Sequence, residues 1–82
     1  MNSIHYQAEQ QRFSLMQNGR EAGYLTYRKN GDAWNIDHTV VSPEYRGQGL
    51  ARLLVDAAIT EAEKQNIRLS ASCSYAADIL AG

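Results

Sequence analysis

A pair of glycines one residue apart is the feature of this sequence that most directly indicates a chemistry. Gly47 and Gly49 lie between an apolar segment that ends at Val41 and a helical stretch that begins near Leu50. The first turn of a helix has backbone N–H groups without partners in the helix, at the positive end of its dipole. Because glycine has no Cβ, an anion can approach this backbone closely, and the sequence predicts a phosphate-binding loop.

Two common phosphate-binding motifs do not fit this loop. A P-loop requires a lysine directly after its second glycine, whereas Leu50 and Ala51 follow Gly49. A dinucleotide-binding fingerprint requires a third glycine or alanine where this chain has Arg52. It also requires an acidic residue about 20 residues further on, and residues 67–69 are Ile-Arg-Leu. The loop therefore belongs to another class of phosphate site.

The residues before the loop have the periodicity of strands. Residues 12–17, 23–28 and 33–41 read as three strands, with turns at Asn18-Gly19 and at residues 30–32. Alternation in the third strand places four side chains on one face, namely Trp34, Ile36, His38 and Val40. It places four on the other face, namely Asn35, Asp37, Thr39 and Val41. The first half of the chain is thus predicted to be an antiparallel meander.

The period changes after Pro43, which ends the third strand. Apolar residues then recur at helical spacing, at Leu50, Leu53, Leu54, Ala57 and Ala58. Asn66 is expected to end this helix, residues 67–73 alternate as a strand, and residues 75–80 begin a short helix. The order β-β-β-α-β-α predicts an α/β (α+β) fold with one mixed sheet. Its right-handed crossover helix would leave the last two strands parallel or side by side.

Composition narrows the classes of function. The chain has 82 residues and a formal net charge of −1, which predicts one small domain over residues 1–82 and does not favour nucleic-acid binding. No apolar run approaches the roughly 20 residues that cross a membrane, so no membrane association is expected. The single cysteine, Cys73, predicts a reducing cytoplasm. No cluster has metal-ligand spacing, so no metal is expected.

The loop and its flanks resemble the GCN5-related N-acetyltransferases. Arg46-Gly47-Gln48-Gly49-Leu50-Ala51 is similar to the family's Arg/Gln-x-x-Gly-x-Gly/Ala loop, and Val41-Ser42-Pro43-Glu44-Tyr45 to its Val-x-Pro-x-Tyr/Phe lead. Ile36-Asp37-His38-Thr39 and Ser72-Cys73-Ser74-Tyr75 resemble the small single-domain branch of this superfamily. The resemblance extends over residues 23–80.

This resemblance implies acetyl-CoA as the donor and an amine as the acceptor. The loop amides would hold the pyrophosphate, and the backbone of Val40 and Val41 would pair with the pantetheine arm like an added strand. The cofactor contacts that it implies are Val40, Val41, Arg46, Gly47, Gln48, Gly49, Leu50, Ala51 and Arg52. The acceptor would be a protein lysine, an N-terminus or a small amine, and the protein a monomer or a weak homodimer.

Given acetyl transfer, two side chains that titrate near neutral pH become candidate catalytic residues. His38 would be the general base, although alternation equally allows a core histidine packed beside Trp34 and Ile36. Cys73 could accept the acetyl group, protonate the leaving thiol, or simply be a small buried apolar residue. His5 is set aside because it lies near a terminus that we expect to be frayed.

Two other interpretations stay open. Larger relatives use additional strands and helices to enclose an acceptor, and this chain has few residues left for that purpose. It could therefore be a non-catalytic module that binds CoA or acetyl-CoA. A toxin–antitoxin or signalling partner built on the same fold is the third interpretation, and no residue distinguishes it.

Overall fold

A computed structural model describes residues 2–72 and 74–81. The elements are β1 (Asn2–Gln7), β2 (Arg12–Gln17), β3 (Arg20–Asn30), β4 (Ala33–Val41), α1 (Leu50–Lys64), β5 (Arg68–Ala71) and α2 (Ser74–Ala81). Short 3₁₀ turns occupy Ala8–Gln10 and Pro43–Tyr45. The strands form a five-stranded sheet in the order β1-β2-β3-β4-β5. No helix in the described part of the chain is long and apolar enough to cross a membrane.

The mixed α/β class and the antiparallel meander are confirmed. The pairs from β1 to β4 are antiparallel, and β4 and β5 are parallel neighbours joined by the crossover through α1. Asn18 and Gly19 both have positive φ, at 53° and 80°, as a tight hairpin turn requires. Asn66 also has a positive φ of 56°, just after the end of α1, so the predicted helix stop is confirmed.

The sheet has one strand more than the sequence predicted. β1 is a mostly exposed edge strand, and Tyr6 is the one residue of this strand that packs against the core. The strand therefore has no run of alternating apolar residues that would predict it. Its register with β2 places His5 opposite Ser14, so the expectation of a frayed end at His5 is wrong. Pairing with β2, rather than apolar periodicity, defines this strand. β5 is shorter than predicted and ends at Ala71.

The core lies between α1 and one face of the sheet, which we call the helix face. Its largest fully buried side chains come from three strands and the helix α1, namely Phe13, Leu15, Leu25, Ile36, Leu54 and Val55. Tyr27 stacks on Trp34 with ring centroids 4.1 Å apart. The Tyr27 hydroxyl lies 2.8 Å from that of Tyr6, and burial raises the pKa of Tyr27 above its ordinary value. Removal of this apolar surface from water is the main stabilisation of the fold.

A β-bulge at Asp37 changes which side chains of β4 share a face. Thr26 pairs with His38 while Tyr27 pairs with Ile36, so Asp37 is an extra residue on the β4 side. The inserted residue inverts the alternation for the rest of the strand.

The bulge overturns the predicted faces of β4. Trp34 and Ile36 are buried, whereas His38 and Val40 are exposed on the opposite face, and the packed core histidine is therefore excluded. Thr39 follows on the helix face. We call the opposite face the polar face, and it is defined by Arg12, Thr26, Arg28, Asp37 and His38.

Gly23 lies where β3 and β4 approach too closely for a side chain. A Cβ at this position would lie 2.5 Å from the carbonyl oxygen of Val40 and 3.2 Å from the Cα of Val41. Real Cβ atoms do not make contacts this short, so the position requires glycine. The close approach fixes the end of β4, just before the glycine loop.

Candidate functional site

β4 and β5 pair over only part of their length, which leaves a gap between them. Residues 33–36 of β4 pair with Arg68–Ala71, and the N–H of Ser72 donates to the carbonyl of Ile36 at 3.0 Å. Beyond that point residues 38–41 pair with β3 on one side and with no described strand on the other. An extended ligand could add to this free backbone edge as a strand does.

A pocket of about 190 Å³ lies where β4 leads into α1. Its lining residues are Val41, Tyr45, Arg46, Gly47, Gly49, Leu50 and Ala51. Six of the nine residues predicted to contact acetyl-CoA are therefore brought together, and Val40, Gln48 and Arg52 are not part of the lining. Tyr45, at the Tyr/Phe position of the family's lead, also lines the pocket but was not among the predicted cofactor contacts.

Both loop glycines have backbone angles that favour glycine. Gly47 has a φ of 87° and Gly49 a φ of 72°, in the left-handed region that other residues rarely adopt. A Cβ on either residue would meet no protein atom within 4 Å. The space beside them is therefore open to a ligand, and the requirement for glycine comes from the backbone angle rather than from crowding.

The start of α1 provides hydrogen-bond donors beside this open space. Gly49 is the N-cap and has no side chain to cap the helix. The N–H of Leu53 donates to the Gly49 carbonyl at 3.4 Å, so the amides of residues 50–52 come before the first hydrogen bond of the helix. These amides and the helix dipole favour an anion, as phosphate-binding helix starts do.

The two arginines beside the loop differ in their placement. Arg46 lines the pocket, and its Nε donates to the carbonyl of Val41 at 3.4 Å, which ties the loop to the end of β4. Arg52 lies on the exposed surface of α1, with its Nε 3.9 Å from an oxygen of Asp56 one turn later. Arg46 is thus the cationic side chain at the pocket itself.

Gln48 is held by a residue that the sequence did not indicate. The Nε2 of Gln17, at the end of β2, donates to the Oε1 of Gln48 at 3.0 Å. The same nitrogen donates to the Oδ1 of Asn2 at 2.9 Å. The loop is therefore connected to the first two strands through side-chain amides.

His38 lies on the polar face of β4 and does not line the pocket. Beside it, the Asp37 carboxylate accepts hydrogen bonds from the Thr26 hydroxyl at 2.7 Å and from the Arg28 Nε at 3.3 Å. Burial raises the pKa of Asp37, but these hydrogen bonds outweigh it, and the pKa is lower than the ordinary value. Asp37 is therefore a fixed anion next to His38.

Cys73 lies outside the described residues, so its position in the site is not assigned. Thr39, on the helix face beside the gap, has a buried Oγ1 without a hydrogen-bond partner in the described part of the chain. Residues 2–72 and 74–81 hold no group of three or more His, Cys, Asp or Glu that could bind a metal ion.

The fold is a mixed α/β fold, and its strand–loop–helix site places free amides and an open space at a helix start. Residues 12–81 match the sequence model of the GCN5-related N-acetyl-transferase family. The chain belongs to this family. A comparison with curated protein sequences found no match.

Solved structures of similar fold agree with this assignment. A GCN5-like protein from Staphylococcus aureus is 32% identical with a TM-score of 0.74, and the match covers 96% of this chain and 78% of that one. The ribosomal-protein-S18-alanine N-acetyltransferase from Escherichia coli is 28% identical with a TM-score of 0.76, over 93% of this chain and 54% of that enzyme.

A more distant structure contains the coenzyme. The PaiA N-acetyltransferase from Thermoplasma acidophilum, solved in complex with coenzyme A, is 14% identical with a TM-score of 0.64. That match covers 68% of this chain and 35% of the other, and at this identity it shows a shared fold alone. The present chain thus spans about half of the length of the Escherichia coli enzyme and about a third of the length of the PaiA enzyme.

Proposed function

We propose that this protein is an N-acetyltransferase that moves an acetyl group from acetyl-CoA to an amine. Family membership supports acetyl transfer in general. The observation that carries the proposal is the continuity of the free edge of β4 with the glycine loop and the start of α1. An extended arm with a pyrophosphate at one end is the shape of ligand that such a site fits.

In this proposal the two parts of acetyl-CoA use different parts of the backbone. The pyrophosphate binds the amides of residues 47–52, assisted by the charge of Arg46. The pantetheine arm adds to the free edge of β4 at Val40 and Val41. Since these contacts are made by backbone atoms, they depend on the loop angles and the strand path more than on side-chain identity.

The chemistry requires the amine to lose a proton before it attacks the thioester carbonyl carbon. The pocket is on the helix face, and His38 is on the polar face of the same strand. We propose that the amine approaches from the polar face through the gap between β4 and β5, and that His38 accepts its proton. The CoA thiolate that leaves takes up a proton from water, and His38 returns its proton to water.

A second route, which would replace direct attack of the amine on acetyl-CoA, gives Cys73 a role that rests on the family resemblance alone. Its thiolate would attack the thioester carbonyl and release CoA thiolate, which leaves an acetyl group on the Cys73 sulfur. The amine would then take the acetyl group and regenerate the thiol.

We propose the cytoplasm as the location, because a reducing compartment keeps this single cysteine as a thiol.

For the acceptor, we propose the amine of a protein. The Escherichia coli relative is named for acetylation of an alanine of ribosomal protein S18. The polar face beside the gap supports a large acceptor, since His38 and Val40 are both exposed there. A small amine would ordinarily need a more enclosed site.

Calorimetric titration with CoA tests the binding part of this proposal. We expect the wild type to bind CoA and Gly49→Ala to lose at least tenfold in affinity, because a Cβ would enter the space of the pyrophosphate. Gly31→Ala is a matched control, since Gly31 also has a positive φ, of 63°, and open space around it. Because both variants carry a similar backbone strain, the difference between their CoA affinities measures the contribution of the loop.

A wild type that does not bind CoA would overturn the proposal. Equal CoA affinity in Gly49→Ala and Gly31→Ala would instead show that the loop is not the pyrophosphate site. Binding without acetyl transfer to any peptide N-terminus, lysine peptide or polyamine would favour the non-catalytic CoA-binding module.

A further inference from the structure

The segment from Gly47 to Gly49 has a high intrinsic cost of ordering. Both glycines adopt positive φ values, and Gln48 is the single residue between them. Glycine loses more conformational freedom than other residues when its backbone is fixed. A loop of this composition needs a contact elsewhere if it is to keep its binding shape before the ligand arrives.

The side chain of Gln17 provides such a contact. A glutamine amide nitrogen has two N–H donors, and here one points to the Gln48 Oε1 at 3.0 Å and the other to the Asn2 Oδ1 at 2.9 Å. Both donors are used, which fixes the plane of the amide. Gln17 is also anchored through its backbone, because it pairs with Asn2 on one side and Arg20 on the other.

We infer that Gln17 is a positioning residue that holds the glycine loop in its CoA-binding conformation through Gln48. Gln17 does not line the pocket, so it would act without touching the ligand. By ordering the loop in the free protein, it would reduce the entropy that CoA binding must offset. This inference rests on the proposed function, because it takes CoA as the ligand of the loop.

The substitution Gln17→Met tests the inference because it keeps the side-chain length and removes both donors. We expect the dissociation constant for CoA to rise about three- to fivefold, the effect of one modest hydrogen bond. Gln7→Met is the matched control, since the Gln7 side chain also makes an amide contact, accepting from Ser14 at 3.0 Å, but on the polar face. The control should bind CoA like the wild type.

Two further measurements separate positioning of the loop from a general loss of structure. In the free protein, the ¹⁵N–¹H heteronuclear NOE of Gly47 and Gly49 should fall in Gln17→Met and recover at saturating CoA. In a double-mutant cycle, Gln17→Met should add nothing to the loss caused by Gln48→Met, since both remove the same bond.

Each outcome decides the inference. If Gln17→Met binds CoA as tightly as the wild type, or if its effect adds fully to that of Gln48→Met, the inference is wrong and the proposed function is untouched. A drop in affinity with an unchanged NOE at both glycines would also overturn it. If the wild type itself fails to bind CoA, the proposed function falls first and this inference with it.

Discussion

The carboxylate of Asp37 accepts a 2.7 Å hydrogen bond from the hydroxyl of Thr26, where the register between β3 and β4 shifts. This bond joins the extra residue of the bulge to the neighbouring strand. It thereby stabilises the conformation that turns His38 onto the polar face. The pKa of Asp37 is lowered in the folded state, so its ionisation is linked to stability.

Asp37→Asn should therefore destabilise the protein near neutral pH but not in acid. A carboxyl whose pKa is depressed on folding contributes stability above its unfolded pKa, of about 4, and loses it as the pH falls through the folded pKa. Asparagine keeps an acceptor for Thr26 but has no charge for Arg28. We expect a loss of about 1 kcal/mol at pH near 7, measured by urea unfolding, that shrinks progressively below about pH 4.

Asp32→Asn is the control for that experiment, because Asp32 is exposed at the turn between β3 and β4. It removes a carboxylate without the two side-chain hydrogen bonds. If both variants lose the same free energy of unfolding at every pH, the contacts of Asp37 have no specific role in the bulge.

Thr39→Val should leave the stability unchanged or increase it by up to about 1 kcal/mol. The Thr39 Oγ1 is buried without a hydrogen-bond partner in the described structure, so the hydroxyl carries a desolvation cost that valine does not. Valine has nearly the same shape and suits a strand. The check is the urea midpoint at constant m-value, and a clear loss of stability would mean that the hydroxyl has a partner in solution.

The sequence predicts the glycine loop, the helix after it and the hairpin turns, because each depends on residues close together in the chain. It does not predict the bulge, since Asp37 adds one residue without changing the local composition, and pairing with β3 alone reveals it. β1 escapes prediction because it is a polar edge strand. The Gln17–Gln48 bond joins residues 31 positions apart, and no periodicity encodes it.

Removal of charge at the two arginines should affect CoA binding unequally. Both side chains are exposed, but Arg46 lines the pocket, whereas Arg52 does not and lies near Asp56. We expect Arg46→Gln to weaken CoA affinity several-fold at low salt and Arg52→Gln to have a smaller effect, because the charge of Arg52 lies outside the pocket and is partly offset by Asp56. Titrations at two salt concentrations measure this. Equal effects would place the phosphates nearer to the surface of α1 than to the loop.

Cys73→Ser and His38→Ala separate the two proposed catalytic roles. If Cys73 is the nucleophile, Cys73→Ser should abolish transfer yet bind CoA normally, because a hydroxyl is a far poorer nucleophile than a thiolate. The wild type incubated with acetyl-CoA alone should then gain 42 Da, the mass of an acetyl group in place of a hydrogen, and Cys73→Ser should not.

His38→Ala should slow transfer at neutral pH and recover at high pH, where the amine loses its proton without a base. His5→Ala is the matched control, because His5 is also exposed but lies on the edge strand β1. Rates for one peptide substrate across pH measure the effect.

A Cys73→Ser variant that keeps most of the activity would indicate direct attack by the amine on acetyl-CoA, with His38 still needed. If both variants keep full activity, neither residue takes part in the proposed mechanism. The loop would then be the only part of the proposed site that remains.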